Sequence, residues 1–105
     1  LQGRVMDQLL DSRGVSIGSV LPTYTIQRTG VKLWKYQVVQ SRIGEIEFHY
    51  EMQGPGDIAS VDRTLIAEVF RQHLGDETVV RFVRGDFEMS SAGKHQLVIN
   101  RVLSG

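Results

Sequence analysis

The sequence predicts an α+β fold: a small, mainly antiparallel sheet with one main helix packed on a face, preceded by a short N-terminal hairpin. Two patterns carry this prediction. Residues 45–52 alternate strictly between apolar and polar side chains, which is the period of a half-buried strand. Residues 61–74 carry apolar side chains at helical spacing. Because each segment has one apolar face to bury, we expect the helix to cover the sheet.

The first third of the chain predicts a hairpin and then a strand. Residues 5–10 and 15–17 are short apolar stretches, and the turn signal Ser12-Arg13-Gly14 separates them. The conformation of residues 18–25 stays open, because Pro22 permits either a short helical turn or an irregular connection. Residues 31–40 are rich in Val, Trp and Tyr, which favours a strand. We expect it to pair antiparallel with residues 45–52 through a turn at 42–44.

The main helix has signals at both ends. Ser60 is the predicted N-cap, Asp62 suits the positive end of the helix dipole, and Gly75 suits the C-terminal end. Residues 77–84 predict another strand, and residues 97–103 a last strand or a short helix. The expected core joins one strand face to one helix face, and its members are Ile46, Phe48, Tyr50, Met52, Leu65, Val69 and Phe70.

Composition indicates a single domain over residues 1–105 and limits the classes of partner. Twelve basic residues balance twelve acidic ones, so the excess of positive charge that a nonspecific nucleic-acid binder needs is absent. The chain has no cysteine, and no apolar run reaches the length of a membrane span. We therefore expect a cytoplasmic protein with neither nucleic acid nor membrane as a partner. Because no Met precedes Leu1, we also expect a piece excised from a longer protein.

Several residues could have a functional role, but an ordinary structural role explains each of them better. The spacing of His49, His73 and His95 is not that of metal ligands, so we expect no metal site. The tripeptide from Arg84 to Asp86 spells a cell-adhesion motif, but Gly-Asp between strands is also what a turn requires.

Two further groups lie on the predicted strands. The carboxylates of Glu45, Glu47 and Glu51 could be paired for acid–base work, but their period of two favours a solvated strand face. Trp34 and Tyr36 would share one strand face, where they could stack a nucleic-acid base or, more commonly, pack in the core.

The loop before the last element holds the residue best suited to chemistry. Lys94 follows Gly93 in a run of small residues, so its ammonium could approach a phosphate or a carboxylate closely. On spacing alone, an ordinary surface lysine in a turn explains this segment equally well.

Two segments near opposite ends of the chain together carry a resemblance. Residues 3–9, GRVMDQL, are followed by GVS at 14–16, and AGK at 92–94 is followed by LVI at 97–99. The first resembles the G-R-x-D-D-x-[IL] … G-x-x-[IV] segment that opens the C-terminal domain of adenylate-forming enzymes, and the second resembles the G-K motif that closes that domain. Within this family the segments resemble most the phenylacetate–CoA ligase and capsular-polysaccharide-type ligase branch. The order of the predicted elements between the motifs also fits the family, so the resemblance covers nearly the whole chain.

The resemblance implies a mobile lid that is inactive alone. A larger N-terminal adenylation domain would bind ATP, Mg²⁺ and a carboxylic acid, and Lys94 would reach in as the catalytic residue during acyl-adenylate formation. Arg4 and Gly93 would lie near the nucleotide. The lid would then rotate about a hinge at Met6 and Asp7 for a second half-reaction, whose acceptor the sequence leaves open among coenzyme A, a carrier protein and an amine. The family usually has two acidic residues there, and Met6 departs from that pattern.

The alternative is a free-standing α+β binding or regulatory module whose two ends match the family motifs by chance. The residues alone leave both interpretations open.

Overall fold

A computed structural model describes residues 8–18, 20–88 and 97–102 of the chain. A hairpin at residues 9–18, closed by the bridge between Leu10 and Ser16, precedes the regular elements. The elements that follow are helix α1 (Leu21–Thr29), strands β1 (Leu33–Arg42) and β2 (Glu45–Met52), helix α2 (Ser60–Leu74), and strands β3 (Val79–Arg84) and β4 (Val98–Asn100). The predicted α+β class and the N-terminal hairpin are confirmed, and the last element is a strand.

The strands form one sheet in the order β3-β2-β1-β4. Strands β1 and β2 pair antiparallel, as expected from the short turn between them. The two outer pairings, β2 with β3 and β1 with β4, are parallel. The sheet is therefore mixed, and the prediction of a mainly antiparallel sheet is wrong. Strand β3 follows β2 through α2, and such a crossover returns the chain in the same direction. Strand β4 runs opposite to β3, but it lies at the far edge beside β1, which itself runs opposite to β2.

Helix α1 occupies the region whose conformation the sequence left open. Pro22 stands in the first turn of the helix. The N–H groups of a first turn have no acceptor within the helix, so the N–H that proline lacks is not needed there. Gly30 ends the helix in the left-handed conformation, with φ of 73°, and its N–H donates to the carbonyl of Ile26. Pro22 therefore starts a nine-residue helix rather than limiting it to a single turn.

Helix α2 is the predicted main helix, with two corrections. Ala59 is the N-cap and makes no side-chain capping bond, while Ser60 is already helical, so the predicted Ser60 cap is wrong. Leu65 is 41% exposed, whereas its neighbour Ile66 is fully buried. Val69 and Phe70 are buried as expected, and Ile66 takes the place that was expected of Leu65 in the core.

The core lies between the two helices and one face of the sheet. Phe48 is its centre, with the ring of Phe70 on the helix side at 6.1 Å and Tyr36, Tyr50 and Phe82 beside it in the sheet. Leu9 of the hairpin is fully buried in the same cluster. The hairpin is therefore part of the domain core. Neither helix in the described ranges is long and apolar enough to cross a membrane.

Candidate functional site

The residues that the sequence places at the site are Arg4, Met6, Asp7, Gly93 and Lys94, and all of them lie outside the described residues. The structure does describe the chain next to each group. Residue 8 lies within the first motif segment and directly follows Asp7, residue 88 precedes the segment with Lys94, and residue 97 follows that segment. The geometry at these three points defines the frame on which the predicted site is built.

On the N-terminal side, backbone bonds fix the hairpin to the end of α2. The N–H of Ser12 donates to the carbonyl of Leu74 at 2.8 Å. Gly75 permits this close approach, because a Cβ there would lie 3.0 Å from the Cβ of Ser12. The carboxylate of Asp11 stabilises the hairpin turn by accepting from the N–H of Val15 and of Arg13, and these bonds hold the pKa of Asp11 below its usual value.

A buried amide holds the same hairpin to the sheet. The side chain of Gln40, 1% exposed, accepts from the N–H of Leu10 at 2.8 Å and donates to the carbonyl of Leu10 at 2.9 Å. Asn100 of β4 donates both to Oε1 of Gln40, at 3.1 Å, and to the carbonyl of Gln8. The segment next to the first motif and the strand that follows the second motif therefore meet in one hydrogen-bonded network.

On the other side, residues 85–88 cross the sheet face opposite the helices. The N–H of Gly85 donates to the carbonyl of Tyr50 at 2.7 Å, which begins the crossing at the end of β2. Phe87 lies over the face, with Nζ of Lys35 4.8 Å from its ring centroid and the ring of His49 6.4 Å away. This crossing carries the chain from β3 at one edge towards β4 at the other.

A second glutamine of β1 holds the end of this crossing. Gln37 is fully buried, and its side chain donates to the carbonyl of Glu88 at 2.7 Å and accepts from the N–H of Glu88 at 3.0 Å. The next residue of β1, Val38, donates its N–H to the carbonyl of Leu97 at 2.9 Å. The segment that contains Lys94 thus starts and ends at two anchored points on adjacent residues of β1.

Sequence reasoning missed both glutamines. Gln37 and Gln40 flank Val38 and Val39 in the middle of a predicted strand. Polar residues at such positions could have indicated buried amides from the sequence alone. A polar side chain in an apolar strand is buried only if hydrogen bonds compensate its lost hydration. Each glutamine therefore pointed to a segment of backbone packed against that strand.

The structure brings a separate cluster together at the start of α2. The buried hydroxyl of Tyr50 donates to Asp57 at 2.6 Å, and the guanidinium of Arg63 reaches both groups. The hydroxyl of Tyr50 and the N–H of Ile58 hold the pKa of Asp57 below its usual value. Burial, and then the bond to Asp57, raise the pKa of Tyr50. Because these groups bond to one another, the cluster connects the loop before α2 to strand β2.

The cell-adhesion interpretation of residues 84–86 finds no support in this geometry. The guanidinium of Arg84 is paired with Glu51 at 3.0 Å and donates to the carbonyl of Gly56 at 2.8 Å. These contacts hold the arginine against the body of the domain, and Gly85 turns the chain into the crossing. The tripeptide is a structural turn, as the sequence favoured.

Of the three histidines, His49 and His73 lie in the described residues, and they lie in separate parts of the fold. His49 is buried beneath the crossing, 3.0 Å from the carbonyl of Gly85 and 3.0 Å from the carboxylate of Glu47, so the expected solvated face is covered at this point. His73 contacts the carbonyl of Val69 within α2 and packs against Tyr24. Within the described part of the chain, no three His, Asp or Glu residues are grouped as metal ligands.

Two of the three carboxylates of β2, those of Glu45 and Glu51, are paired with arginines. Glu45 accepts from Arg42 at 2.7 Å and from Arg81 at 2.7 Å, and the bond from Arg42 is the main cause of its lowered pKa. Glu51 is paired with Arg84, as described above. These contacts are cross-strand ion pairs, and they do not form a carboxylate pair for acid–base chemistry.

The expected shared face of Trp34 and Tyr36 is not formed. The pairing of β1 with β2 shifts between Leu33 and Lys35, so a bulge at Trp34 changes the alternation of the strand. Trp34 is 69% exposed, whereas Tyr36 packs into the core against Phe48. The two rings therefore offer no common platform for a nucleic-acid base.

Comparison with protein-family models, curated proteins and solved structures finds no match for this chain.

Proposed function

We propose that the chain is the C-terminal mobile domain of an ATP-dependent acid ligase that forms an acyl adenylate and then a thioester. A contact between the described ends of the two motif segments carries this proposal. Asn100, just after the second motif, donates to the carbonyl of Gln8 in the first, and these two residues are 92 positions apart in the sequence. The resemblance to one family therefore falls on two segments whose described ends meet in the fold.

Lys94 is the catalytic residue of this proposal. Negative charge builds on the α-phosphate as pyrophosphate leaves, and a positioned ammonium stabilises that charge in the transition state. A preceding adenylation domain of the same chain is the partner, and it holds ATP, Mg²⁺ and the carboxylic acid. Arg4 and Gly93 contact the nucleotide, and the hinge at Met6 and Asp7 precedes the anchored hairpin.

The alternative, a free-standing binding or regulatory module, has less support. Its most specific sequence feature was the aromatic pair at Trp34 and Tyr36, and the bulge at Trp34 separates those rings. The reading frame upstream of Leu1 discriminates between the two functions. A preceding domain with a phosphate loop rich in Ser, Thr and Gly supports the ligase, and a start codon immediately before Leu1 contradicts it.

The biochemical test uses the ligase that contains this chain. We expect Lys94→Ala to lower acid-dependent ATP–pyrophosphate exchange by about a hundredfold or more, because one charge-stabilising group is lost. Thioester formation from a supplied acyl adenylate should continue near the wild-type rate. Lys32→Ala, which removes an exposed lysine before β1, is the matched control. Wild-type exchange in the Lys94→Ala enzyme would refute the proposal.

A further inference from the structure

We propose that His49 is a proton-dependent clamp that holds the crossing at residues 85–88 on the sheet, a role that does not depend on the proposed function. The buried imidazole lies between two acceptors. Its Nδ1 lies 3.0 Å from the carbonyl oxygen of Gly85, and its Nε2 lies 3.0 Å from Oε1 of Glu47. A neutral imidazole carries one N–H and can donate to only one of these oxygens, whereas an imidazolium donates to both. The two contacts together therefore describe the protonated ring.

Loss of the proton leaves two acceptors for a single N–H. The carboxylate of Glu47 is charged, and a hydrogen bond to a charged acceptor is about twice as strong as one to a neutral acceptor. The remaining proton therefore stays on Nε2, and the lone pair of Nδ1 then faces the carbonyl oxygen of Gly85. Because two acceptors at 3.0 Å repel each other, the neutral ring releases this carbonyl.

The released carbonyl belongs to a strained part of the backbone. Asp86, the next residue, has a φ of 61° and is the only residue with a Cβ and a positive φ in the described part of the chain. On either side, the N–H of Gly85 is bound to the carbonyl of Tyr50, and the N–H of Glu88 is bound to the side chain of Gln37. The peptide unit between Gly85 and Asp86 can therefore rotate while both ends of the crossing stay attached to the sheet.

The charges around His49 leave histidine as the group that titrates near neutral pH. Lysine, arginine and carboxylate side chains ordinarily keep their charge between about pH 5 and pH 8, and histidine ordinarily does not. The described charged groups around His49 and the crossing are Glu45, Glu47 and Glu51 of β2, Lys35 of β1, Arg81 and Arg84 of β3, Asp86 and Glu88 of the crossing, and Arg101 after β4. We expect the crossing to be held at the acidic end of this range and to loosen towards the basic end.

The test follows the 105-residue chain by NMR from about pH 5 to pH 8. The ring nitrogen signals of His49 report its protonation, and the coupling between the amide and α protons of Asp86 reports its φ. The protection factor of the Gly85 amide compares its exchange with that of an unfolded chain at the same pH. We expect this factor to fall by about three- to tenfold as the ring loses its proton, because one hydrogen bond is lost. A ring that does not titrate in this range, or a protection factor that stays constant while it titrates, would overturn the proposal.

Glu47→Gln tests whether the contact between His49 and Glu47 causes the change. The N–H of a glutamine amide can donate to the lone pair of Nε2, so the neutral ring can keep its proton on Nδ1 for the carbonyl of Gly85. The protection factor of Gly85 should then be the same at both ends of the pH range.

Three variants serve as matched controls. Glu45→Gln removes the same charge from the same face of β2, and the partners of Glu45 are Arg42 and Arg81. His73→Gln and His95→Gln remove the other two histidines of the chain. All three should retain the wild-type fall in the protection factor of Gly85.

Each outcome in the variants decides the role of the clamp. Glu47→Ala, which leaves the ring the single acceptor at Gly85, replaces Glu47→Gln where that variant does not fold. A wild-type fall of the protection factor in the Glu47 variant, or its loss in any of the three controls, would overturn the proposal. These measurements need no adenylation domain, so their failure is distinct from a failure of the Lys94→Ala test.

Discussion

At the scale of single residues, the buried amides of β1 are the least predictable feature of the chain. A buried amide without partners destabilises a fold by about 1–3 kcal/mol, so Gln37 and Gln40 require the backbone segments that they bind. The sequence shows two polar residues beside Val38 and Val39, but not which segments return to them. Glu88 lies 51 residues from Gln37, and Leu10 lies 30 residues from Gln40. Partners this distant depend on the complete fold.

The bond between Tyr50 and Asp57 leads to a prediction about acid stability. The lowered pKa of Asp57 means that the folded chain holds its proton more weakly than the unfolded one. This carboxylate therefore stabilises the fold above its usual pKa of 3.8, and the contribution is lost as the pH falls through the lowered value. Tyr50→Phe removes the main cause of the shift. The variant should unfold at lower urea than wild type at pH 7, and the difference should narrow towards pH 3.

Tyr24→Phe is the control for this measurement, because the described part of the chain gives its half-exposed hydroxyl no hydrogen bond. Its urea midpoint should follow that of the wild type at both pH values. A difference between Tyr50→Phe and wild type that stays constant from pH 7 to pH 3 would contradict the assigned cause.

At the scale of elements, local signals predicted the two most regular segments. Strand β2 was predicted with its observed bounds, because strict alternation and a flanking turn leave little choice of register. Helix α2 was predicted within one residue, from its spacing and from Gly75. For α1 the sequence left the choice open between a short helical turn and an irregular connection, because Pro22 disfavours a helix interior, although a proline in the first turn also starts helices. A proline breaks a helix when it lies in the interior and starts a helix when it lies in the first turn. The effect of Pro22 therefore depends on where the helix begins, which the sequence did not define.

The buried stripe of α2 can be tested by two adjacent truncations. Ile66 is fully buried in the core, whereas Leu65 is 41% exposed. We expect Ile66→Ala to lower the free energy of unfolding by about 2–5 kcal/mol, since it leaves a cavity. Leu65→Ala should cost less than about 1 kcal/mol, because its side chain is already partly hydrated. Urea unfolding monitored by circular dichroism measures both. Equal losses in the free energy of unfolding would mean that Leu65 is buried in the core as much as Ile66, as the sequence predicted.

Gly30 provides a test of how α1 ends. Its φ of 73° is costly for any residue with a Cβ, although the space around it is open. Gly30→Ala should therefore destabilise the domain by about 1 kcal/mol. Gly54→Ala is the matched control, because Gly54 has equally open surroundings and no positive φ. Thermal unfolding should show a lower midpoint for the first variant only, and equal midpoints would mean that α1 does not need a left-handed residue.

At the scale of the whole molecule, the parallel edges of the sheet could not be predicted from local patterns. Strand β4 pairs with β1 across sixty residues, as in Val38 with Val98, and no turn sets that register. His49 shows the same effect, since it occupies a polar position in β2 yet is buried by a crossing that arrives 36 residues later. For the candidate site, the sequence supplied the motif residues, while the anchors around them depend on these long-range pairings.

The position of the hairpin within the core leads to the last prediction, which concerns where the proposed mobile domain begins. Leu9 is fully buried, and the hairpin supplies both backbone partners of the Gln40 amide. Deleting residues 1–18 removes the buried side chain of Leu9, which stabilises the fold by about 1.5–3 kcal/mol. The deletion also leaves the amide of Gln40 without its backbone partners, which costs about 1–3 kcal/mol. A domain whose total stability is about 5–15 kcal/mol should then unfold at much lower urea.

Leu9→Ala in the full chain separates these two contributions, because it removes apolar burial and keeps the bonds of Gln40 with the backbone. It should unfold at a urea concentration between those of the wild type and the truncated chain. A truncated chain as stable as the wild type would mean that the hairpin is an appendage that could move apart from the sheet. With the expected loss of stability, the hairpin and the sheet move as one body, and the hinge proposed at Met6 and Asp7, which precede Gln8, would leave that body intact.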